Sequence, residues 1–258
     1  MKVSVIDLGF NSVKLVNYDI KKDGSFKAYQ QEGVKVKLGE GLQETGYIGR
    51  DQADRTISAL RMFRDIINFD SIRHVLPVAT SAVREAGNKS DFLKQVYEKT
   101  GFQFKVLSGQ EEGFYSYIGA LQATCVPTAL FFDLGGGSLE LVEVTGTQVG
   151  AGESLPLGGL RLQAASDGSP KTARDIAREA LEHSPVAARM ERRAFYAIGG
   201  TWRSLARLHM HDSGYPLHVM HEYRMDPDEL SDFLRVLIRG PIEQVPGIAV
   251  VSRQRQAL

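Results

Sequence analysis

Hydrophobic and polar residues follow two different periods along the first part of this 258-residue chain. Apolar and polar residues alternate over 2–7 and 13–19, which predicts two strands around a short turn, and the alternation over 33–38 predicts a third strand. Between 50 and 69 the period changes to three or four residues, which predicts a helix with one apolar face. The members of that face are Ile57, Leu60, Phe63, Ile66 and Ile67.

The same order of elements continues and is then repeated in the second half of the chain. The remaining first-half pattern predicts a buried strand leading into a turn within 73–83, a helix over 91–100 closed by Gly101, a strand over 103–109 and another helix. The second half predicts a hairpin over 131–144, strands near 150–155 and 193–200, and helices over 170–181, 201–211 and 226–239. Mixed sheets alternating with helices, given twice, predict a two-lobed α/β protein with a cleft between the lobes.

The repetition extends to individual residues. The segment 3–16, VSVIDLGFNSVKLV, can be laid over 129–142, ALFFDLGGGSLELV, without a gap. Two copies of a strand, a D-L-G-x-x-S turn and a second strand indicate two domains of one design. The coincident pairs are Asp7 and Asp133, Leu8 and Leu134, Gly9 and Gly135, Ser12 and Ser138, Leu15 and Leu141, and Val16 and Val142.

The turn of the second copy contains three consecutive glycines, 135–137, with Asp133 before them and Glu140 after them. Glycine permits positive φ, so such a turn can aim several backbone N–H groups into one concavity that suits an anion such as phosphate. A tight hairpin turn alone would need only one or two such residues. The additional glycine and the two flanking carboxylates therefore favour a phosphate site.

No low-complexity linker separates the two halves, so we expect the domains to cover 1–120 and 121–258, with a short hinge at 125–128. The composition contains 43% apolar residues, with 31 basic and 31 acidic side chains. This balance argues against a duplex nucleic acid as partner. A single cysteine, no signal peptide and no apolar run of membrane-spanning length predict a cytoplasmic protein that does not bind a membrane.

A candidate catalytic base lies at the start of the helix after 103–109. Ser108 and Glu111 have the spacing of a capping box, which gives Glu111 a structural role. Glu112 could face the cleft as a base or simply favour the helix dipole, and the residues alone leave both interpretations open. Arg84 follows a strand in a predicted loop and could be a phosphate ligand or a surface ion-pair partner.

Six segments in order along the chain resemble the exopolyphosphatase and guanosine pentaphosphate phosphatase family, written Ppx/GppA. The segments are VIDLGFNSVKL, VATSAVREAGN, LSGQEEG, FFDLGGGSLEL, LGGLRL and AIGGTWRSLARLHM. The resemblance implies two ribonuclease H-like domains of the actin, sugar-kinase and heat-shock-chaperone type facing across a cleft. It also implies a hydrolase that releases the terminal phosphate of polyphosphate or of the stringent-response nucleotide pppGpp.

The resemblance assigns roles to residues in matching positions. Glu112 would be the general base that activates water, and Arg84 would contact phosphate. Asp133 and Glu140 would hold Mg²⁺, or alternatively Mn²⁺, directly or through water, and Asp7 would face the metal or the water. The phosphate-clamping residues would be Asn11, Ser12, Gly135, Gly136, Gly137 and Ser138.

The chain departs from the family pattern in two places. Phe10 stands where the family usually has serine, which places a bulky apolar group in the first phosphate turn. The chain stops at Leu258, where family members normally continue into a further helix, so the second domain is expected to lack its final helix. Lys35, Lys37 and Arg161 could extend a positive track for a longer phosphate chain or be ordinary solvated charges.

Three functions follow from these patterns. The first is the Mg²⁺-dependent phosphohydrolase. The second is a regulatory protein that binds polyphosphate or guanosine tetra- or pentaphosphate without turnover, which Phe10 and the short C-terminus would favour. The third, an actin-like or sugar-kinase-like ATPase, is disfavoured by the E-E-G and R-E-A motifs. The sequence leaves a homodimer open.

Overall fold

The computed structural model describes residues 1–121, 128–145, 148–189, 194–217, 219–238 and 244–251. The structure divides into two compact units, Met1–Glu112 and Gly113–Leu258. Residues 125–127 of the predicted hinge lie outside the described residues. No helix in the described part of the chain is long and apolar enough to cross a membrane.

The first unit is built on a five-stranded sheet with the order β3-β2-β1-β4-β5. Its strands are β1 Lys2–Leu8, β2 Ser12–Ile20, β3 Phe26–Lys35, β4 His74–Ala79 and β5 Lys105–Val106. Strands β1, β2 and β3 are antiparallel neighbours, whereas β4 runs parallel to β1. The helices of this unit are α1 Leu42–Thr45, α2 Arg50–Phe69, α3 Ser81–Glu85 and α4 Lys89–Thr100.

The second unit repeats this design with four strands among the described residues. The strands are β6 Thr128–Leu134, β7 Leu139–Thr145, β8 Gln148–Leu155 and β9 Ala194–Ile198, in the order β8-β7-β6-β9. Strands β6, β7 and β8 are antiparallel neighbours and β9 runs parallel to β6, which matches the pairing of β1 to β4. The helices are α5 Gly109–Leu121, which begins in the first unit, α6 Gly159–Ala165, α7 Pro170–Glu182, α8 Gly200–Asp212 and α9 Pro227–Leu237.

Helix α2 confirms the prediction from apolar periodicity, because it runs over the predicted residues 50–69. Ile57, Leu60, Phe63 and Ile67 are buried, and Ile66 is half-buried at the edge of the same face. The helix therefore packs through the stripe that the sequence indicates.

The prediction for the third strand was wrong in its bounds. Strand β3 covers Phe26–Lys35 rather than 33–38, and most of its residues are exposed because it forms an edge of the sheet. Val36 and Leu38 are fully buried but lie after the strand, where Val36 N–H donates to the carbonyl of Asn11 at 3.1 Å. Their apolar alternation reflects packing beneath the first turn instead of strand pairing.

The two faces of the second sheet are covered by different helices. Phe131 and Val142 pack against Tyr117 of α5, and the rings of Tyr117 and Phe131 lie 5.1 Å apart. The opposite face, including Leu130 and Leu141, packs against α6 and α7. Because side chains alternate along a strand, Asp133 and Glu140 project from the face that α5 covers.

Candidate active site

The two D-L-G-x-x-S turns have the same backbone geometry. In the first turn, Gly9 N–H donates to the carbonyl of Ser12 at 3.0 Å; in the second, Gly135 N–H donates to the carbonyl of Ser138 at 3.0 Å. The gap-free overlay seen in the sequence therefore corresponds to a repeated turn structure.

The start of α6 binds the carbonyl groups of the second turn. Gly135 C=O accepts from Gly159 N–H, and Gly136 C=O accepts from Leu160 N–H, both at 3.0 Å. A trans peptide directs its C=O and N–H to opposite sides. The N–H groups of Gly136 and Gly137 consequently point away from α6, as a backbone anion cradle requires.

The first turn is held in a similar manner by the segment after β3. Asn11 C=O accepts from Lys37 N–H at 2.8 Å, and Phe10 C=O accepts from Gly39 N–H at 2.9 Å. By the same trans-peptide argument, the N–H groups of Asn11 and Ser12 point away from this segment.

The Phe10 side chain does not occupy the first turn as a solvent-facing group, which corrects the expectation from the sequence. It is 8% exposed, and its ring lies directly over Gly39, where any Cβ would overlap three ring atoms. Phe10 is therefore a core residue, and the backbone donors of the turn are retained.

Two carboxylates meet at the end of the β6–β7 hairpin. Asp133 and Glu140 are direct partners across the two antiparallel strands. Ser116 Oγ on α5 donates to Asp133 Oδ2 at 2.6 Å, and Ser154 Oγ on β8 donates to Glu140 Oε1 at 2.9 Å. Each carboxylate is therefore oriented by a hydroxyl group. Asp133 is half-buried, and Glu140 is 2% exposed.

This pair has the donor chemistry of a Mg²⁺ site. Like charges directly opposite on neighbouring strands repel, so a bound cation would reduce the repulsion between Asp133 and Glu140. In the described part of the chain, no group of three or more His, Cys, Asp or Glu side chains could hold a metal ion. Two carboxylates nevertheless fit Mg²⁺, since this ion usually keeps several waters and completes its shell with substrate phosphates.

Gly158, just before α6, makes the second turn possible. A Cβ at this position would lie closer than 3.0 Å to backbone atoms of Gly137 and Ser138. Only glycine allows the chain to approach the turn this closely without moving it.

In the first unit, the structure brings Arg84 and Glu112 together. Arg84 Nη1 donates to Glu112 Oε2 at 2.8 Å and to the carbonyl of Leu107 at 3.0 Å. Their side chains are only 22% and 17% exposed. Arg84 lies in helix α3 rather than in the loop that the sequence predicted, so its ion-pair partner is the other candidate active-site residue.

The predicted capping box at the start of α5 is confirmed. Ser108 N–H donates to Glu111 Oε2 at 2.9 Å, and Glu111 N–H donates to Ser108 Oγ at 3.1 Å. The hydrogen bond from Lys105, followed by that from the Ser108 backbone, lowers the pKa of Glu111 to about 2. Glu111 is thus occupied at the helix end, whereas the neighbouring Glu112 is paired with Arg84.

The remaining predicted residues lie close to one of the two turns, on different elements. Asp7, half-buried, faces Lys14 across β1 and β2, and Lys37 pairs with Glu40 at 2.9 Å. Lys35 is exposed at the end of β3, and Arg161 lies in α6 with its N–H bonded to Gly136 C=O at 3.1 Å. Lys37 is therefore a weaker candidate for a positive track than Lys35.

Sequence reasoning missed Ser116 and Ser154, and it assigned no role to Gly158, although Gly158 lies in the LGGLRL segment. Each acts on the hairpin from another element, so no local pattern reveals its contact.

Residues 19–258 match the family model described as the Ppx/GppA phosphatase family. The chain belongs to this family. The resemblance drawn from the six motifs is thereby confirmed.

Similar proteins include two mycobacterial enzymes. Exopolyphosphatase 1 of Mycobacterium leprae is 31% identical over 164 residues, which is 63% of this chain and 48% of that protein. Exopolyphosphatase 2 of Mycobacterium tuberculosis is 29% identical over 255 residues, which is 92% of this chain and 80% of that protein. The chain thus spans about half the length of the first of these relatives.

A solved structure supports the fold of this family member. The crystal structure of the Aquifex aeolicus Ppx/GppA protein is 27% identical, covers 100% of this chain and 85% of its own, and has a TM-score of 0.79. The predicted mixed α/β fold of the actin-like type, with two sheets, is confirmed by this similarity and by the repeated strand order.

Proposed function

We propose that this family member is a Mg²⁺-dependent phosphohydrolase that releases the terminal phosphate of inorganic polyphosphate, with pppGpp as a further substrate. The observation that carries the proposal is the end of the β6–β7 hairpin. There, two opposed carboxylates adjoin a glycine turn whose N–H groups point away from its carbonyl contacts.

Each turn would bind phosphate oxygens through the backbone. Gly136 and Gly137 in the second turn, and Asn11 and Ser12 in the first, direct N–H groups to one side. Gly135 and Ser138 fix the shape of the second turn through their mutual hydrogen bond. Preorganised donors of this kind stabilise the charge that develops on phosphoryl oxygens in the transition state.

Asp133 and Glu140 would hold Mg²⁺, with Asp133 the more accessible of the two. When bound, the ion would neutralise phosphate charge and orient the phosphoryl group. Asp7 has a different environment, because it faces Lys14 instead of a second carboxylate. Asp7 would therefore lie beside the attacking water.

Glu112 would act as the general base. Arg84 fixes one oxygen of Glu112 through a partly buried ion pair, which limits the rotation of the carboxylate. Among the described contacts, the Nε and Nη2 atoms of Arg84 have no hydrogen-bond partner. Arg84 can therefore orient the base and still donate to a phosphate oxygen. In a loose transition state, the rate depends more on the position of the attacking water than on its strength as a nucleophile.

The non-hydrolytic regulatory function loses one of the two observations that favoured it. Phe10 is buried against Gly39 and leaves the backbone donors of the first turn in place. Polyphosphate is named as substrate because two similar proteins are exopolyphosphatases.

The proposal is tested by phosphate release from long-chain polyphosphate, short-chain polyphosphate, pppGpp and ATP over a Mg²⁺ titration. We expect Asp133→Asn to need much more Mg²⁺ for half-maximal release, because one of two charged ligands is lost. The control is Asp175→Asn, an exposed residue of α7. Release that proceeds equally well in EDTA, or an unchanged Mg²⁺ requirement in Asp133→Asn, would refute the metal site.

A further inference from the structure

A glycine directly follows the proposed base in helix α5. Gly113 is the last residue of the E-E-G motif, and it is buried in the first part of the helix Gly109–Leu121. Glycine is disfavoured inside a helix relative to alanine, because its backbone loses more conformational entropy on folding. A packing contact is therefore expected to explain a glycine at this position.

The contact lies between α5 and strand β7. A Cβ at Gly113 would lie 2.9 Å from Val142 Cγ2, whereas ordinary contacts begin at 3.4 Å. The same Cβ would lie 3.6 Å from Glu140 Cβ and 3.8 Å from Glu140 Cγ, which are ordinary contact distances. Gly113 thus lets the helix approach β7 closely, beside one of the two proposed Mg²⁺ ligands.

Val142 has little freedom to make room for a larger residue. It is 3% exposed and packs in a cluster with Tyr117 and Phe131. Its β-branched side chain is stiff at χ1, so rotation away from α5 is restricted. A side chain at position 113 would therefore push the helix away from β7 by about 0.5 Å, the difference between 2.9 Å and an ordinary contact of 3.4 Å.

The first turns of α5 also carry two groups of the proposed site. Glu112 immediately precedes Gly113 and accepts from Arg84 Nη1 at 2.8 Å. Ser116, three residues after Gly113, donates to Asp133 Oδ2 at 2.6 Å. The helix is continuous over these residues, so a shift at Gly113 displaces Glu112 and Ser116 together.

We infer that Gly113 is a positioning residue of the proposed reaction, because it lets α5 pack directly on β7 and so holds Glu112 where it activates water. This inference rests on the proposed function. Gly113 itself makes no contact with substrate in this account. Its effect passes through the position of the helix, and hence of the Glu112 carboxylate.

The test compares three variants of this contact with a control on the same helix. Gly113→Ala introduces the Cβ, Val142→Ala removes the methyl group that the Cβ would meet, and the double variant combines both changes. Gly119→Ala is the control, because a Cβ at this exposed helical position would meet no atom within 4 Å. Phosphate release from polyphosphate at saturating Mg²⁺ gives kcat and KM, and thermal unfolding is recorded on the same preparations.

We expect Gly113→Ala to lose about 10- to 100-fold in kcat with little change in KM, since displacement of catalytic groups by about 1 Å can cost about 100-fold. Val142→Ala should lower the unfolding midpoint through the loss of buried methyl groups, but keep most of the kcat. The double variant should regain most of the kcat that Gly113→Ala loses, because the space left at Val142 accepts the new Cβ. Gly119→Ala should match the wild type in kcat and KM.

A folded Gly113→Ala protein with the kcat of Gly119→Ala would overturn the inference, as would a loss of kcat that Val142→Ala does not relieve. If Gly113→Ala does not fold, the double variant provides the test. A kcat near that of Val142→Ala then supports the inference, and an unfolded or inactive double variant contradicts it.

Failure of the proposed function would appear differently. If the wild-type protein releases no phosphate, the proposed function fails and the inference on Gly113 fails with it. If the wild type and Gly113→Ala release phosphate equally well, only the inference on Gly113 is wrong.

Discussion

Substitution of Gly158 by alanine tests whether the shape of the glycine turn controls activity. The new Cβ would lie closer than 3.0 Å to backbone atoms of Gly137 and Ser138, whereas ordinary contacts begin at 3.4 Å. The turn or the start of α6 must therefore move by at least about 0.4 Å. The atoms in conflict belong to the backbone, so no side-chain rotation can relieve the overlap.

The expected losses of stability and of activity in Gly158→Ala follow from two effects. Overpacking of a buried site costs about 1–3 kcal/mol of unfolding free energy. Displacement of catalytic groups by about 1 Å can reduce the rate about 100-fold. We expect Gly158→Ala to lose far more activity than stability, because the movement is confined to the turn.

The assay measures phosphate release and thermal unfolding on the same preparations. Gly152→Ala is the matched control, since its Cβ would meet only Leu141 O at an ordinary distance of 3.8 Å. A Gly158→Ala protein that is folded and has wild-type kcat would refute the argument. A protein that fails to fold is distinguished by its loss of the unfolding transition.

Two further predictions concern residues on α5. Ser116→Ala removes the 2.6 Å hydrogen bond to Asp133, so we expect about 10- to 100-fold weaker Mg²⁺ binding with little loss of stability. Titration of Mg²⁺ against the purified protein measures this, and an unchanged affinity would contradict it. Glu111→Gln keeps a capping side chain but removes the charge. Since Lys105 lowers the pKa of Glu111 to about 2, the stabilisation by that charge is present above pH 4.5 and is lost as the pH falls towards 2. The difference in unfolding midpoint between wild type and Glu111→Gln should therefore shrink over this interval, and a constant difference would show that the charge is not responsible.

The elements that the sequence predicted well are those whose signal is local. Helix α2 has a long apolar stripe, and the Ser108–Glu111 capping box depends on residues three positions apart. The gap-free overlay of 3–16 on 129–142 likewise indicated two turns of one design, and their hydrogen bonds agree.

The elements that sequence reasoning missed depend on tertiary contacts. Strand β3 is polar and exposed at the sheet edge, so it lacks the alternation that would reveal its start at Phe26. The burial of Phe10 depends on the space over Gly39, which is 29 positions away in the chain. Ser116 acts on the β6–β7 hairpin from α5, and only the folded chain brings it there. Gly158 stands in the LGGLRL segment, but its contact with the glycine turn is likewise visible only in the folded chain.

The most direct test of the central claim is phosphate release from polyphosphate with Mg²⁺ by Glu112→Gln beside Glu111→Gln. The two substitutions remove the same charge from adjacent residues of α5, but Glu111 is held in the capping box and Glu112 is paired with Arg84. Loss of general-base catalysis typically costs 10²–10⁴-fold, so we predict that Glu112→Gln loses at least about 100-fold in kcat while Glu111→Gln stays near the wild type. Comparable release by the wild type and Glu112→Gln would contradict the assignment of Glu112 as the base.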